Sequence, residues 1–196
     1  SIVEPLCLGA IVTVDSVSCA PGQGPNNDGS VITTAIGGTP PYYFDYVDLL
    51  GNPININALD PGSYVVTVTD DNGCISSPLS PIAFNILEPN PITIANPITT
   101  TPVSINGSAD GTAIATVTGG TPNLTGDPYD YLWSPSGEIT NPSVSLFSGI
   151  QTLQVTDANG CTETETVNVN EPLPIALSFF VNDALCFGDA NGNAEA

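Results

Sequence analysis

No lysine, arginine or histidine occurs in this 196-residue chain, while 20 aspartates and glutamates give it a formal charge of −20. Methionine is absent as well, and tryptophan occurs once. The missing cations exclude whole classes of function. No salt bridge can form between side chains. Nucleic-acid binding through phosphate contacts needs cationic groups, as does a polybasic hold on an anionic membrane. Without histidine or lysine there is no imidazole base, Ser/His or Cys/His dyad, Schiff base or arginine clamp, which leaves only carboxylates, hydroxyls and thiols for chemistry.

High net charge with 19 glycines and 19 prolines can mark disorder. Here 41% of residues are hydrophobic and the mean hydropathy is +0.18, with valine, isoleucine and threonine prominent, which is enough apolar surface for folded cores. No run of 18 or more apolar residues and no basic-then-apolar leader is present. Starting at Ser1 and lacking methionine, the chain reads as a segment of a longer processed protein.

What is present is a repeat. Gly37-Gly38-Thr39-Pro40-Pro41-Tyr42-Tyr43-Phe44-Asp45-Tyr46 returns as Gly119-Gly120-Thr121-Pro122 followed by Pro128-Tyr129-Asp130-Tyr131-Leu132-Trp133. Val68-Thr69-Asp70-Asp71-Asn72-Gly73-Cys74 returns as Val155-Thr156-Asp157-Ala158-Asn159-Gly160-Cys161. Glu4-Pro5, Glu88-Pro89 and Glu171-Pro172 punctuate the chain at spacings of 84 and 83 residues. The period is about 83 residues. Residues 1–5 are expected to end a preceding unit, 6–89 to form unit 1, 90–172 unit 2, and 173–196 to open a further one.

Within a unit the hydrophobic period is two. Tyr64, Val66 and Val68 share one face of a strand, and so do Tyr42, Phe44 and Tyr46 or their counterparts Tyr129, Tyr131 and Trp133. Further strands are expected at Ile11 to Val17, Val31 to Ile36, Ile82 to Ile86, Ala113 to Val117 and Thr164 to Val169, separated by Asp-Gly, Asn-Gly, Gly-Gly and Pro-Gly turns. No segment has a helical pattern. About seven short strands per unit point to an all-β fold of tandem immunoglobulin-like β-sandwiches. Leu59-Asp60-Pro61-Gly62-Ser63-Tyr64 has the form of a tyrosine corner, whose hydroxyl bonds back to the turn entering its strand.

These motifs together, Cys and Asp-Gly-Ser, Gly-Gly-Thr-Pro-Pro-Tyr, Leu-x-Pro-Gly-x-Tyr, Val-Thr-Asp-x-Asn-Gly-Cys and a closing Glu-Pro, resemble the SprB repeat of very large surface proteins in gliding Bacteroidota. The resemblance spans essentially the whole chain. It implies secretion through the type IX system and a place in a mobile, filamentous cell-surface adhesin, with neighbouring repeats and an extracellular surface or polysaccharide as partners. Unit 1 fits at Cys19, Asp28-Gly29-Ser30, Gly37 to Tyr42, Tyr64 and Cys74. Unit 2 departs at Ile105, where the first cysteine belongs, and at Gln151, where the corner tyrosine belongs. Its fold is therefore expected to rest on packing alone.

The repeat also assigns the five cysteines. Cys19 and Cys74 open and close unit 1 and are expected to form its internal disulfide. Cys186 would pair beyond Ala196, Cys161 would stay free for want of a partner at Ile105, and Cys7 has no assigned partner. The competing reading leaves all five as buried free thiols.

Other candidate chemistry is sparse, and no residue is assigned a catalytic role. Calcium takes oxygen ligands, and the best spacings are Asp70, Asp71 and Asn72, then Asp189, Asn191, Asn193 and Glu195. The competing reading of both is a solvated turn. Carboxylate pairs at Asp45 with Asp48 and at Glu163 with Glu165 read as exposed acidic strand positions. The stripe Tyr129, Tyr131, Trp133 can be a sugar platform or sandwich core, and core is the expectation. Asp15-Ser16-Val17 resembles the O-glycan acceptor triplet of Bacteroidota, which makes Ser16 the glycosylation candidate; Asn106 and Asn123 open two short Asn-x-Ser/Thr matches.

The expected protein is a non-enzymatic structural segment of a secreted adhesin filament. Proline-stiffened junctions and like-charge repulsion between units favour an extended rod. The alternative is a carbohydrate- or Ca²⁺-binding β-sandwich module of a secreted surface protein.

Overall fold

Strand alternation is visible directly in burial. Along Gly62–Asp70, Val66, Val68 and Asp70 are buried while Val65, Thr67 and Thr69 are half-buried. A computed structural model describes residues 7–76, 81–182, 187–188 and 192–195. Those residues form antiparallel sheets with no helix, an all-β, sandwich-like protein.

The first core is enclosed by β1 (Gly9–Asp15), β2 (Ser30–Ile36), β3 (Tyr42–Asp48), β4 (Gly62–Asp70) and β5 (Ile82–Ile86). β1 pairs with β2, and β3-β4-β5 form the facing sheet. Leu8, Val17, Val31, Leu59, Val66, Val68, Phe84 and Ile86 fill the space between them. β1 ends before the expected Val17, because Val17 turns inward, buries its side chain and donates its N–H to Leu87 O at 3.1 Å.

The second core uses β6 (Thr93–Ile94), β7 (Thr99–Thr101), β8 (Gly111–Ile114), β9 (Val117–Thr118), β10 (Asp130–Ser134), β11 (Ser143–Leu146), β12 (Gly149–Thr156) and β13 (Thr162–Val169). Sheet β10-β12-β13 faces β11-β8-β7, with the short pair β6-β9 beside them. Trp133, Leu146, Leu153 and Val155 are fully buried at its centre. The single strand expected from Ala113 to Val117 is two, β8 and β9. Between them Asn141 Oδ1 accepts from Ala115 N (2.9 Å) and its Nδ2 donates to Ala115 O (2.8 Å). One side-chain amide thus stands in for a strand partner and lets the chain change sheets without stranding a buried peptide group. A terminal hairpin, β14 (Phe180–Asn182) with β15 (Asn193–Glu195), follows.

The two cores close their corners by the same hydrogen bond from different residues. Tyr64 Oη donates to Asp60 O at 2.9 Å, the expected tyrosine corner. In the second core Gln151 Nε2 donates to Phe147 O at 3.1 Å, also four residues upstream, while Gln151 Oε1 accepts from Ser136 Oγ at 2.7 Å. Gln151 is fully buried. The expectation that this half rests on packing alone is therefore corrected: a glutamine amide performs the tyrosine's task. Replacing Tyr64 by Phe is expected to lower stability by about 1 kcal/mol, the net worth of one such bond; an unchanged urea midpoint would remove the corner's contribution.

Strand direction sets the ends of the first core. β1 leads away from an entry end, where Leu8, Gly38 and Asp70 meet, toward an exit end, where Val17 lies beside Gly29, Ile86 and Leu87. β4 runs the opposite way, since Gly62 pairs with Ile86 and Asp70 with Tyr42.

Candidate functional site

The site that emerges is a junction. Cys19 follows β1 at the exit end of the first core, whereas Cys74 follows β4 at its entry end. Seven residues of β1 carry the chain roughly 20 Å from one end to the other, and a disulfide requires Cα atoms within about 7 Å. The expected Cys19–Cys74 bridge is therefore corrected. Cys19 bonds to Cys161 across 142 residues, with Cα atoms 5.5 Å apart, and Cys74 is a free, exposed thiol, as is Cys7. Cys161, expected to be free, is the partner. Of the competing reading, that all five are buried thiols, neither the bonded pair nor the exposed Cys7 and Cys74 agrees; Cys186 lies outside the described residues.

Around the disulfide, the loop after β1 inserts into the second core's entry end. Cys19 is fully buried and belongs to that second core, beside Ile92 and Cys161. Gln23, also buried, is the plug. Its Oε1 accepts from Ile92 N and its Nε2 donates to Ile92 O, both at 2.7 Å. The same Nε2 reaches a Glu163 carboxylate oxygen, and Thr162 N donates to Gln23 O at 2.7 Å. Asn159 Nδ2 adds a bond to Ser18 O at 3.2 Å. With no cation available in the chain, neutral amides and one covalent bond hold the junction. Gly24 closes the loop under the disulfide: a Cβ there would lie 2.5 Å from Cys19 Sγ, so only glycine fits.

The acceptor is shaped by the Gly-Gly-Thr-Pro and Asp-x-Asn-Gly-Cys motifs acting together. Asp157 Oδ1 accepts from Asn159 N (2.9 Å) and Cys161 N (2.9 Å), and Oδ2 accepts from Thr121 N (2.7 Å). Gly120 has φ +61° and sits where a Cβ would lie 2.7 Å from Ile92 Cγ1 and 2.8 Å from Asp157 Oδ2. Tyr129 Oη donates to Gly119 O at 2.8 Å, as Tyr42 Oη donates to Gly37 O at 2.7 Å in the first core. Both repeats thus tie the glycine pair to the aromatic strand.

The loop's other anchor is Asp28, which accepts from Ser18 N at 2.9 Å and from the Ser18 hydroxyl. Asp110 repeats this in the second core, with Ser104 N at 2.9 Å and the Ser108 hydroxyl. Bonds from the Ser104 hydroxyl, the Ser108 hydroxyl and the Ser104 amide hold the Asp110 carboxyl down at about 2, and the Ser18 hydroxyl and amide lower Asp28 in the same sense. A carboxyl depressed below its unfolded value of about 3.9 resists protons that the unfolded chain accepts. Its contribution is present above pH 4 and lost as pH falls toward 2. Asp110→Asn is expected to flatten the fall in melting temperature between pH 4 and pH 2, read from the fluorescence of Trp133, the single tryptophan; an unchanged slope would contradict this role.

The remaining sequence candidates fall into structural places. Asp70 is buried, and its carboxylate accepts from Thr39 N, Asn72 N and Cys74 N at 2.9, 3.1 and 2.8 Å. The Thr39 amide is the largest of the influences lowering its pKa. Its oxygens are engaged by the turn, and neighbouring Asp71 is exposed. Asp189 and Asn191 lie outside the described residues. Among the described residues no group of three or more His, Cys, Asp or Glu side chains converges. Asp48 caps its own turn through Leu50 N and Asn52, and Glu163 is taken up by Gln23. Tyr129, Tyr131 and Trp133 are all buried, as expected for core. Ser16 is exposed at the end of β1, its Oγ 3.4 Å from Leu87 N.

Gln23 is the residue that sequence reasoning missed. A signal existed: nine positions separate Cys19 from Asp28, but five separate Ile105 from Asp110. The extra residues of unit 1's loop are the ones that reach across. At the corresponding place on the second core, Ser104, Ile105, Asn106 and residues 172–175 line a groove of about 500 Å³, and Ile105 is exposed. No model of a known protein family matches the chain, and no curated protein matches it.

Proposed function

We propose that this chain is a structural, non-enzymatic segment of a secreted, repetitive cell-surface adhesin filament of the SprB-repeat type. The observation that carries the reading is the junction. A loop of one unit enters the next, is bolted there by Cys19–Cys161 and is keyed by Gln23 on Ile92. Such a contact fixes neighbouring units in series, which a filament needs and an isolated binding module does not. A disulfide between units also fits an oxidising, extracellular setting. The motif resemblance and the recurrence of about 83 residues support the same reading, as does a uniformly acidic surface that discourages lateral association.

The carbohydrate-binding alternative loses its best residue, because Trp133 is fully buried and its Nε1–H is bonded to Thr140 O at 3.0 Å. The calcium-binding alternative loses Asp70 to three backbone amides. The deciding experiment is imaging of the intact parent protein on cells. Long surface fibres with a regular repeat are expected, and a compact or intracellular distribution would overturn the proposal.

A further inference from the structure

We propose that the Cys74 end of unit 1 is a second copy of the junction acceptor, built to take the cysteine-bearing opening loop of a unit preceding it and to bond that loop's cysteine to Cys74. The inference rests on the tandem-array reading and specifies how its units are joined.

The two acceptors match group by group. Asp70 N donates to Cys74 O at 3.0 Å, as Asp157 N does to Cys161 O at 3.0 Å. Asp70 accepts from Thr39 N and Cys74 N just as Asp157 accepts from Thr121 N and Cys161 N. Asp71 N bonds Thr39 O at 3.0 Å, as Ala158 N bonds Thr121 O at 2.9 Å. Asn72 Nδ2 bonds Thr39 Oγ1, as Asn159 Nδ2 bonds Thr121 Oγ1. Leu8 lies against Gly38 and Asp70 in the way Ile92 lies against Gly120 and Asp157. The difference is occupancy. Cys161 is 2% exposed, covered by the loop that carries Cys19, whereas Cys74 is exposed and free. One acceptor is therefore seen holding its ligand, and its twin shows the same framework with the thiol uncovered.

The occupied copy defines the ligand: a loop of pattern Cys-x-x-x-Gln-Gly, whose glutamine amide bridges the N–H and C=O of the residue at the Ile92 position. A Glu-Pro pair precedes both acceptors in sequence, at Glu4-Pro5 and Glu88-Pro89, so the preceding unit's opening loop would be delivered to Cys74 as Cys19 is to Cys161. Bond formation joins two thiols, with two protons and two electrons passing to a disulfide oxidant that is reduced to two thiols.

The test uses the full oxidised chain and a peptide spanning residues 16–28, its Cys19 carried as a mixed disulfide with thionitrobenzoate. A Cys74 thiolate attacks the peptide sulfur and expels thionitrobenzoate, whose colour gives the rate; mass mapping gives the site. Capture at Cys74 is expected to be roughly tenfold faster with this peptide than with the same peptide carrying Gln23→Ala, an effect of the size a docked amide supplies. Equal rates for the two peptides at Cys74 would overturn the inference. Surface fibres seen alongside such a failure would leave the array reading standing and remove only the Cys74 joint.

Discussion

Cys161→Ser is expected to lower the unfolding free energy by up to ~5 kcal/mol, the chain-entropy value for a closed loop of this length. The loop is long because the bond spans 142 residues, so the oxidised chain loses much of its freedom when unfolded. Native contacts contribute too, since the loop bearing Gln23 loses its anchor. Trp133 lies in the second core and is the single tryptophan, so its fluorescence reports urea unfolding of that half alone. Cys74→Ser, at an exposed free thiol, is the matched control and should leave the transition, followed by far-ultraviolet circular dichroism so that both halves are read, within about 0.5 kcal/mol of the parent. With no lysine or arginine, trypsin cannot fragment the chain, but a glutamate- or aspartate-specific protease can. A non-reducing map that linked Cys19 to Cys74, or equal midpoints for the Cys161 and Cys74 variants, would sink the assignment.

Trp133→Ala should cost a further class of energy, about 3–5 kcal/mol, by opening a cavity at the centre of the second core. The side chain is fully buried, and its Nε1–H satisfies Thr140 O, so truncation removes packing and strands a carbonyl together. Trp133→Phe keeps most of the apolar volume and loses the hydrogen bond, and should fall well short of the alanine loss. Far-ultraviolet circular dichroism follows both variants in urea. A loss below about 1 kcal/mol for the alanine variant would contradict the core placement. Any glycan binding lost in these variants would report a damaged fold, not a removed sugar platform.

Much of the architecture was legible because it depends on local rules. Period-two burial placed β5 at its observed bounds and β2 within one residue of them, the strand starting at Ser30, and the Leu-x-Pro-Gly-x-Tyr segment announced the Tyr64 corner. The errors arose where a side chain replaced a backbone partner. Asn141 splits the strand expected through Ala115, Gln151 takes the corner from tyrosine, and Gln23 completes an edge at Ile92. An amide carries donor and acceptor together, so one residue can imitate a strand, yet nothing in hydropathy marks it. The disulfide was misassigned for another reason. Repeat logic paired the cysteines that bracket a unit, although strand count already opposed this. Cys19 follows the first strand and Cys74 the fourth, and alternating strands leave those residues at opposite ends. Cys161, one repeat further on, arrives at the correct end.

The position of the Cys19–Cys161 bond in the chain has a mechanical consequence. Under tension applied through the two termini, force entering before β1 passes across the sulfur atoms and leaves through β13, bypassing everything between. The 142 bypassed residues amount to roughly 480 Å of contour at about 3.4 Å each. While the bond is intact that length is withheld, and β2 to β12 lie in an unloaded loop. A single molecule stretched with and without reductant should therefore differ in extension by nearly this amount, with only the flanking strands yielding in the oxidised chain.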